Sequence, residues 1–147
     1  APRLSFIRQP ECVTLDGEHP NQVEVEVHPN HTSRGMRTFD VSNKVIWIEN
    51  EDLLKSEVRL KGFANIQIEG KKAQMGSIDR NDRRPIIHWL PEPSTSNATL
   101  LVAEDGEVKH IEGKLETHSY PEGTMVQLER IGYARVIDST TLIFTHS

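Results

Sequence analysis

Apolar and polar residues alternate with a period of two along most of this chain, the mark of strands that bury one face. Val23, Val25 and Val27 alternate with Glu24 and Glu26, and Val58 and Leu60 with Arg59 and Lys61. Ile66 and Ile68 flank Gln67, and Val126 and Leu128 alternate with Gln127 and Glu129 until Gly132, which is expected to break the run. Residues 1–7 open the chain with a strand-like run, and residues 45–49, 86–89, 99–103, 108–111 and 140–144 are β-branched or aromatic in the same way. Asp105-Gly106 joins two of these runs, and both residue types tolerate the positive φ of a two-residue hairpin. Pro91-Glu92-Pro93-Ser94 interrupts the pattern, residues 76–85 are polar and read as a loop, and residues 50–54 fit one or two helical turns. Many short strands with Gly, Pro, Asn and Asp between them predict an all-β barrel or sandwich.

Composition narrows the class further. With 147 residues the chain suffices for one domain or two small barrels sharing a core. No apolar run reaches the roughly 18 residues of a membrane span, and the first residues lack the basic tip and apolar core of a signal peptide. The chain starts without Met and directly in a strand-like run, as a piece of a longer protein would. Cys12 is the single cysteine, which excludes an internal disulfide and fits a reducing, cytoplasmic setting. In such a setting the sequons at Asn30 and Asn97 carry no meaning.

Catalytic chemistry finds no footing. Phosphate-binding glycine loops and a G-x-S-x-G elbow are absent. His28 and His31 have H-x-x-H spacing, but they sit in a Pro/Asn-rich turn without cysteine, and no metal is expected. His88, in an apolar run beside Trp89, reads as a hydrogen-bonded core histidine, and Glu24 and Glu26 read as a solvated strand face. No nucleophile, base and oxyanion hole come together, so the expectation is a binding module with no catalytic residue of its own.

Charge indicates what it binds. The net charge of −5 argues against a sequence-blind nucleic-acid binder. Residues 55–84, however, carry eight Lys/Arg against four acids, while the rest holds nine basic and eighteen acidic residues. A basic middle on an acidic body suits a polyanion docked at one chosen place, or a solvated loop cluster. Arg59 and Lys61, two apart, project from one face of a strand whose Val58 and Leu60 point inward. Such a pair can hold phosphates and read base edges, and Gln127 and Arg130 at the end of another strand offer an amide and a guanidinium to unstacked bases.

Several segments in order resemble the C-terminal anticodon-binding region of glutamyl- and glutaminyl-tRNA synthetases. They are Ala1-Pro2-Arg3 before an apolar strand, His28-Pro29-Asn30 with Arg34-Gly35-Met36-Arg37, residues 45–49 followed by Leu53, and Glu57-Val58-Arg59-Leu60-Lys61. Pro85-Ile86-Ile87-His88-Trp89-Leu90-Pro91 and Val126-Gln127-Leu128-Glu129-Arg130-Ile131-Gly132-Tyr133 complete the set. Leu128 stands where the family often has Phe, and residues 71–84 are shorter than in the bacterial glutaminyl enzymes. The compact form looks more like archaeal glutamyl enzymes, although the two specificities share this region. The resemblance implies two small β-barrels with exchanged strands, related to a ribosomal 5S-RNA-binding protein. The distal barrel would take about 21–84 and the proximal one about 1–20 plus 85–147. It also implies that Arg3, Arg59, Lys61, Gln127 and Arg130 read the anticodon of a tRNA.

The class's HIGH and KMSKS motifs are absent, so the chain itself would need no cofactor. The parent would use ATP with Mg and glutamate, supplied by a catalytic domain outside this chain. Neither a membrane nor DNA is expected as a partner. A glutaminyl enzyme, a free-standing ribosomal-RNA-binding barrel and a β-sandwich interaction module without RNA specificity are the alternatives.

Overall fold

The computed structural model describes residues 1–26, 36–79 and 83–147. Among them the chain is almost entirely β, with short 3-10 turns at Asn50–Leu54 and Glu92–Ser94 and no α-helix. His28, His31, Arg34 and Gly35 fall outside the described residues. No described helix is long and apolar enough to cross a membrane.

Among the described residues sixteen strands form two curled seven-stranded sheets and one hairpin. The first sheet contains β1 (Arg3–Leu4), β2 (Phe6–Arg8), β12 (Thr95–Glu104), β13 (Glu107–Glu116), β14 (Met125–Leu128), β15 (Gly132–Asp138) and β16 (Thr141–His146). The second contains β3 (Pro10–Asp16), β6 (Val45–Glu49), β7 (Glu57–Leu60), β8 (Ala64–Glu69), β9 (Lys72–Met75), β10 (Ile86–Ile87) and β11 (Leu90–Pro91). The hairpin is β4 (Gln22–Glu26) with β5 (Met36–Asp40). The N-terminal segment thus crosses from one sheet to the other between β2 and β3, and residues 86–91 pair in the second sheet although β12 follows them directly.

Each sheet is closed by one short segment that pairs with both edges. In the first, β1 runs parallel to β14, with Arg3 opposite Gln127, while β2 runs antiparallel to β13. In the second, β10 runs parallel to β7, with Ile86 opposite Arg59, while β11 runs antiparallel to β6. Closure removes the unpaired edges that an open sheet would present. It also requires close approach. A Cβ on Gly113 of β13 would lie 2.4 Å from the Ile7 carbonyl oxygen and 2.8 Å from Phe6 Cζ, so only glycine lets β2 lie against β13.

The period-two pattern buries the expected face. Val58, Leu60, Ile66, Ile46 and Ile48 fill one core, joined by Val23 and Phe39 of the hairpin; Leu4, Phe6, Leu100, Leu115, Val126 and Leu128 fill the other. Ile7, adjacent to Phe6, belongs to the first of these cores, so the crossing segment pins the barrels together. Asp105 (φ 52°) and Gly106 (φ 78°) make the expected tight turn between β12 and β13. The run through β14 does end ahead of Gly132, at Leu128, but the chain pairs again from that residue onward. At φ 136° Gly132 starts β15, a few residues after β14, and its backbone packs against His146.

A cationic cleft between the barrels

The two parallel closures bring the sequence-predicted residues to the junction of the barrels. Lys61, one residue past β7, donates its N–H to Ile87 O (3.0 Å), and Arg59 N–H donates to Pro85 O (2.8 Å). Across the junction, Gln127 N–H donates to Pro2 O (2.9 Å) and Glu129 N–H to Leu4 O (3.3 Å). Backbone ladders therefore fix the roots of all these side chains.

Between them opens a cleft of about 710 Å³ whose walls come from all three sheets. The first barrel supplies Arg3 and Glu129, the second Arg59, Lys61 and His88, and the hairpin Glu24 and Arg37. Four cations thus face two carboxylates, and the apolar part includes Leu4, Ile86, Phe39 and Trp89. Phe39 packs edge-on against Trp89 at 5.6 Å, and Trp89 Nε1 donates to Lys61 O (2.9 Å), so the indole anchors the strand end that carries Lys61.

The five predicted residues do not share one state. Arg3 donates Nε–H to Gln127 Oε1 (3.3 Å) and pairs with Glu129 (3.3 Å), which also takes Lys61 Nζ at 2.5 Å. Arg59, on the same face as Lys61, donates to Asn65 Oδ1 (3.2 Å), Asp79 O (3.1 Å) and Ile78 O (3.1 Å), tying the loop after β9 to β7. Arg130 turns away from the cleft lining. In the hairpin turn at φ 64°, an αL conformation that costs a non-glycine residue about 1–2 kcal/mol, its guanidinium donates to Glu49 (3.2 Å), Asp52 (2.8 Å) and Ile86 O (3.4 Å).

Sequence reasoning missed the acids that organise these cations. Glu49, buried at the end of β6, accepts from Arg8 N–H (3.0 Å) and Arg8 Nε–H (2.8 Å) and meets Arg130. Burial pushes its carboxyl up, but His88 and Arg8 outweigh this and hold it well below the usual carboxylate range. His88 is a core residue as expected, with Nε2 3.2 Å from Glu49, yet neither ring nitrogen makes an aligned hydrogen bond. Glu129 is likewise pushed up by burial and held low by Lys61 and then Arg3. Glu116, 2% exposed at the end of β13, differs: burial pushes its carboxyl up to about 7 against the pull of Arg37, whose Nε lies 2.5 Å away, and of Ser5 N–H. Arg37 Nε is not aligned as a hydrogen-bond donor there, so the contact is an ion pair. Among the described residues no group of three His, Cys, Asp or Glu could hold a metal ion.

These features define a two-barrel β protein with a cationic cleft at the junction of its barrels. The chain belongs to the anticodon-binding domain family of class I tRNA synthetases (E and Q), whose family model matches residues 1–84, more than half of it. The full length is similar to archaeal proteins named glutamate–tRNA ligase. That of Thermofilum pendens is 32% identical over 99% of this chain and 27% of its own length. That of Methanoculleus marisnigri is 36% identical over 92% of this chain and 25% of its own, and that of Methanobrevibacter smithii 29% over 100% and 28%. The chain spans about a quarter of the length of these relatives.

Proposed function

We propose that this chain docks the anticodon loop of a glutamate tRNA as one region of a class I glutamate–tRNA ligase. The observation that carries this reading is the convergence of Arg3, Arg59 and Lys61 on one cleft from two separately closed barrels. A hairpin loop of RNA presents phosphates and unstacked bases together, and such bases are read on their edges by amide, guanidinium and ammonium donors. Arg3, Lys61 and Gln127 are the direct readers in this proposal. Arg59 takes part from the cleft wall while it holds the loop after β9, and Arg130 takes part from outside the cleft lining while it bridges to Glu49 and Asp52.

The glutamate–tRNA ligase names of the relatives support one further part of the proposal, that a longer protein joins glutamate to the tRNA. The longer protein joins glutamate to the tRNA with ATP and Mg, in the cytoplasm, through a catalytic domain outside this chain, and this region needs no cofactor and binds neither membrane nor DNA. A wrong base in the cleft leaves a buried donor or acceptor unpaired, at a cost of roughly 1–3 kcal/mol. The test is binding of a glutamate tRNA transcript to this chain and to its Lys61→Ala, Gln127→Ala variant at fixed salt. The reading expects tenfold or greater weakening of the variant for the native anticodon and little change for a replaced one. Equal weakening for both anticodons would reduce the cleft to a general RNA-docking surface.

A further inference from the structure

We infer that Glu129 is a positioning residue for anticodon discrimination, holding Arg3 of one barrel and Lys61 of the other at a single point in the cleft. This rests on the anticodon-docking reading above and adds a residue to it. Glu129 lies one residue past β14, in the turn that precedes β15. Its N–H is fixed by Leu4 O, so the carboxylate leaves the backbone at a set place beside β1. From there Oε1 takes both Arg3 Nη1 (3.3 Å) and Lys61 Nζ (2.5 Å). Arg3 is simultaneously tied to Gln127 Oε1, so one carboxylate holds two of the proposed readers directly and meets the third only through Arg3.

A negative group inside a site for a polyanion calls for a reason, since Coulomb repulsion alone weakens the binding of phosphates. Ordering supplies it. Lys and Arg side chains are rich in rotamers, and a reader that is already held loses less of that entropy on docking. The Glu129 side chain is 19% exposed, against 45% for Lys61, so the pair is partly shielded from competing water. His88 adds a lesser pull toward the ionised form of Glu129, after Lys61 and Arg3.

The two roles of Glu129 differ in sign, which makes the inference testable. Glu129→Gln keeps the shape and removes one negative charge. If Glu129 were only a counter-charge, tRNA affinity would rise for every anticodon alike. If it positions Arg3 and Lys61, the ratio of affinities for native and replaced anticodons falls by about tenfold, the size of one base contact, whatever happens to the mean affinity. Glu129→Asp, which retains the carboxylate, should restore part of that ratio. An unchanged ratio in Glu129→Gln overturns the inference, as does an equal loss for both anticodons accompanied by a lowered Tm. A wild-type chain without anticodon preference would instead sink the docking reading. Even then the Arg3 Nη–H resonances of the RNA-free protein, whose Nη1 donates to Glu129, decide the positioning itself: they should be resolved in wild type and broadened by rotation and solvent exchange in Glu129→Gln, and equal line widths would overturn it.

Discussion

Arg59 and Lys61 were legible as a pair because two-residue spacing on a strand fixes a shared face whatever the strand's partners. Their counter-ions were not legible. Glu129 meets Lys61 from 68 positions away, and Glu49 meets Arg130 from 81, distances over which no periodicity reaches. The burial of Glu49 and Glu116 was hidden for a related reason: an acid in an alternating strand reads as solvated, as Glu24 indeed is. Glu49→Gln should destabilise the chain by roughly 2–5 kcal/mol, since it leaves Arg8 and Arg130 without their shared buried carboxylate; urea unfolding monitored by tryptophan fluorescence would measure it. Glu116 gives the opposite sign with pH. Its folded pKa, raised to about 7, lies above the unfolded value, so its contribution is fully present below about pH 4.5 and is lost as pH rises towards 7. A thermal-unfolding series from pH 5 to 8 should show Tm falling less in Glu116→Gln than in wild type. Identical slopes would mean that Arg37 keeps the carboxylate ionised throughout.

Strands with clean alternation, such as β7, β8 and β14, were visible because every second side chain must face the core. Others escaped notice. β15 is not legible because Gly132 reads as a breaker in the sequence, whereas its positive φ serves the hairpin turn and its missing Cβ makes room for the backbone at His146. β3 shows only Val13 and Leu15 buried, behind a Pro-Glu-Cys start that carries little signal. The closing segments lie in the runs read as strand-like at residues 1–7 and 86–89, but at two or three residues per strand they are too short for any period to show that they close a sheet. Their necessity is nonetheless testable at Gly113. Gly113→Ala places a methyl against the Ile7 carbonyl and the Phe6 ring, and should cost about 1–3 kcal/mol by overpacking. The same methyl at Gly106, which meets nothing within 4 Å, tests only the turn's positive φ. If Gly113→Ala proved neutral in chemical denaturation, β2 would not be pressed against β13 as described.

At the scale of the whole molecule, the acidic total and the basic middle segment coexist because the cleft gathers cations from both barrels and the hairpin while most acids lie elsewhere. Residue order along the chain foreshadowed the all-β class and the strand faces, but not that two parallel closures would bring residues 3, 59, 61 and 127 together. Pairing partners are a property of topology, which a period cannot encode. A localised cationic site should show a modest salt dependence. Removing one phosphate-contacting cation with Lys61→Ala should lower the slope of log K against log salt by about 0.7, the single-strand value per contact.

The most direct measurement is the affinity of this chain for a glutamate tRNA transcript against the same transcript with its anticodon replaced, both at one stated salt concentration. The account expects the native anticodon to bind at least tenfold more tightly. Equal affinity for the two would contradict it, and would leave the cleft as a place where RNA backbone docks unread.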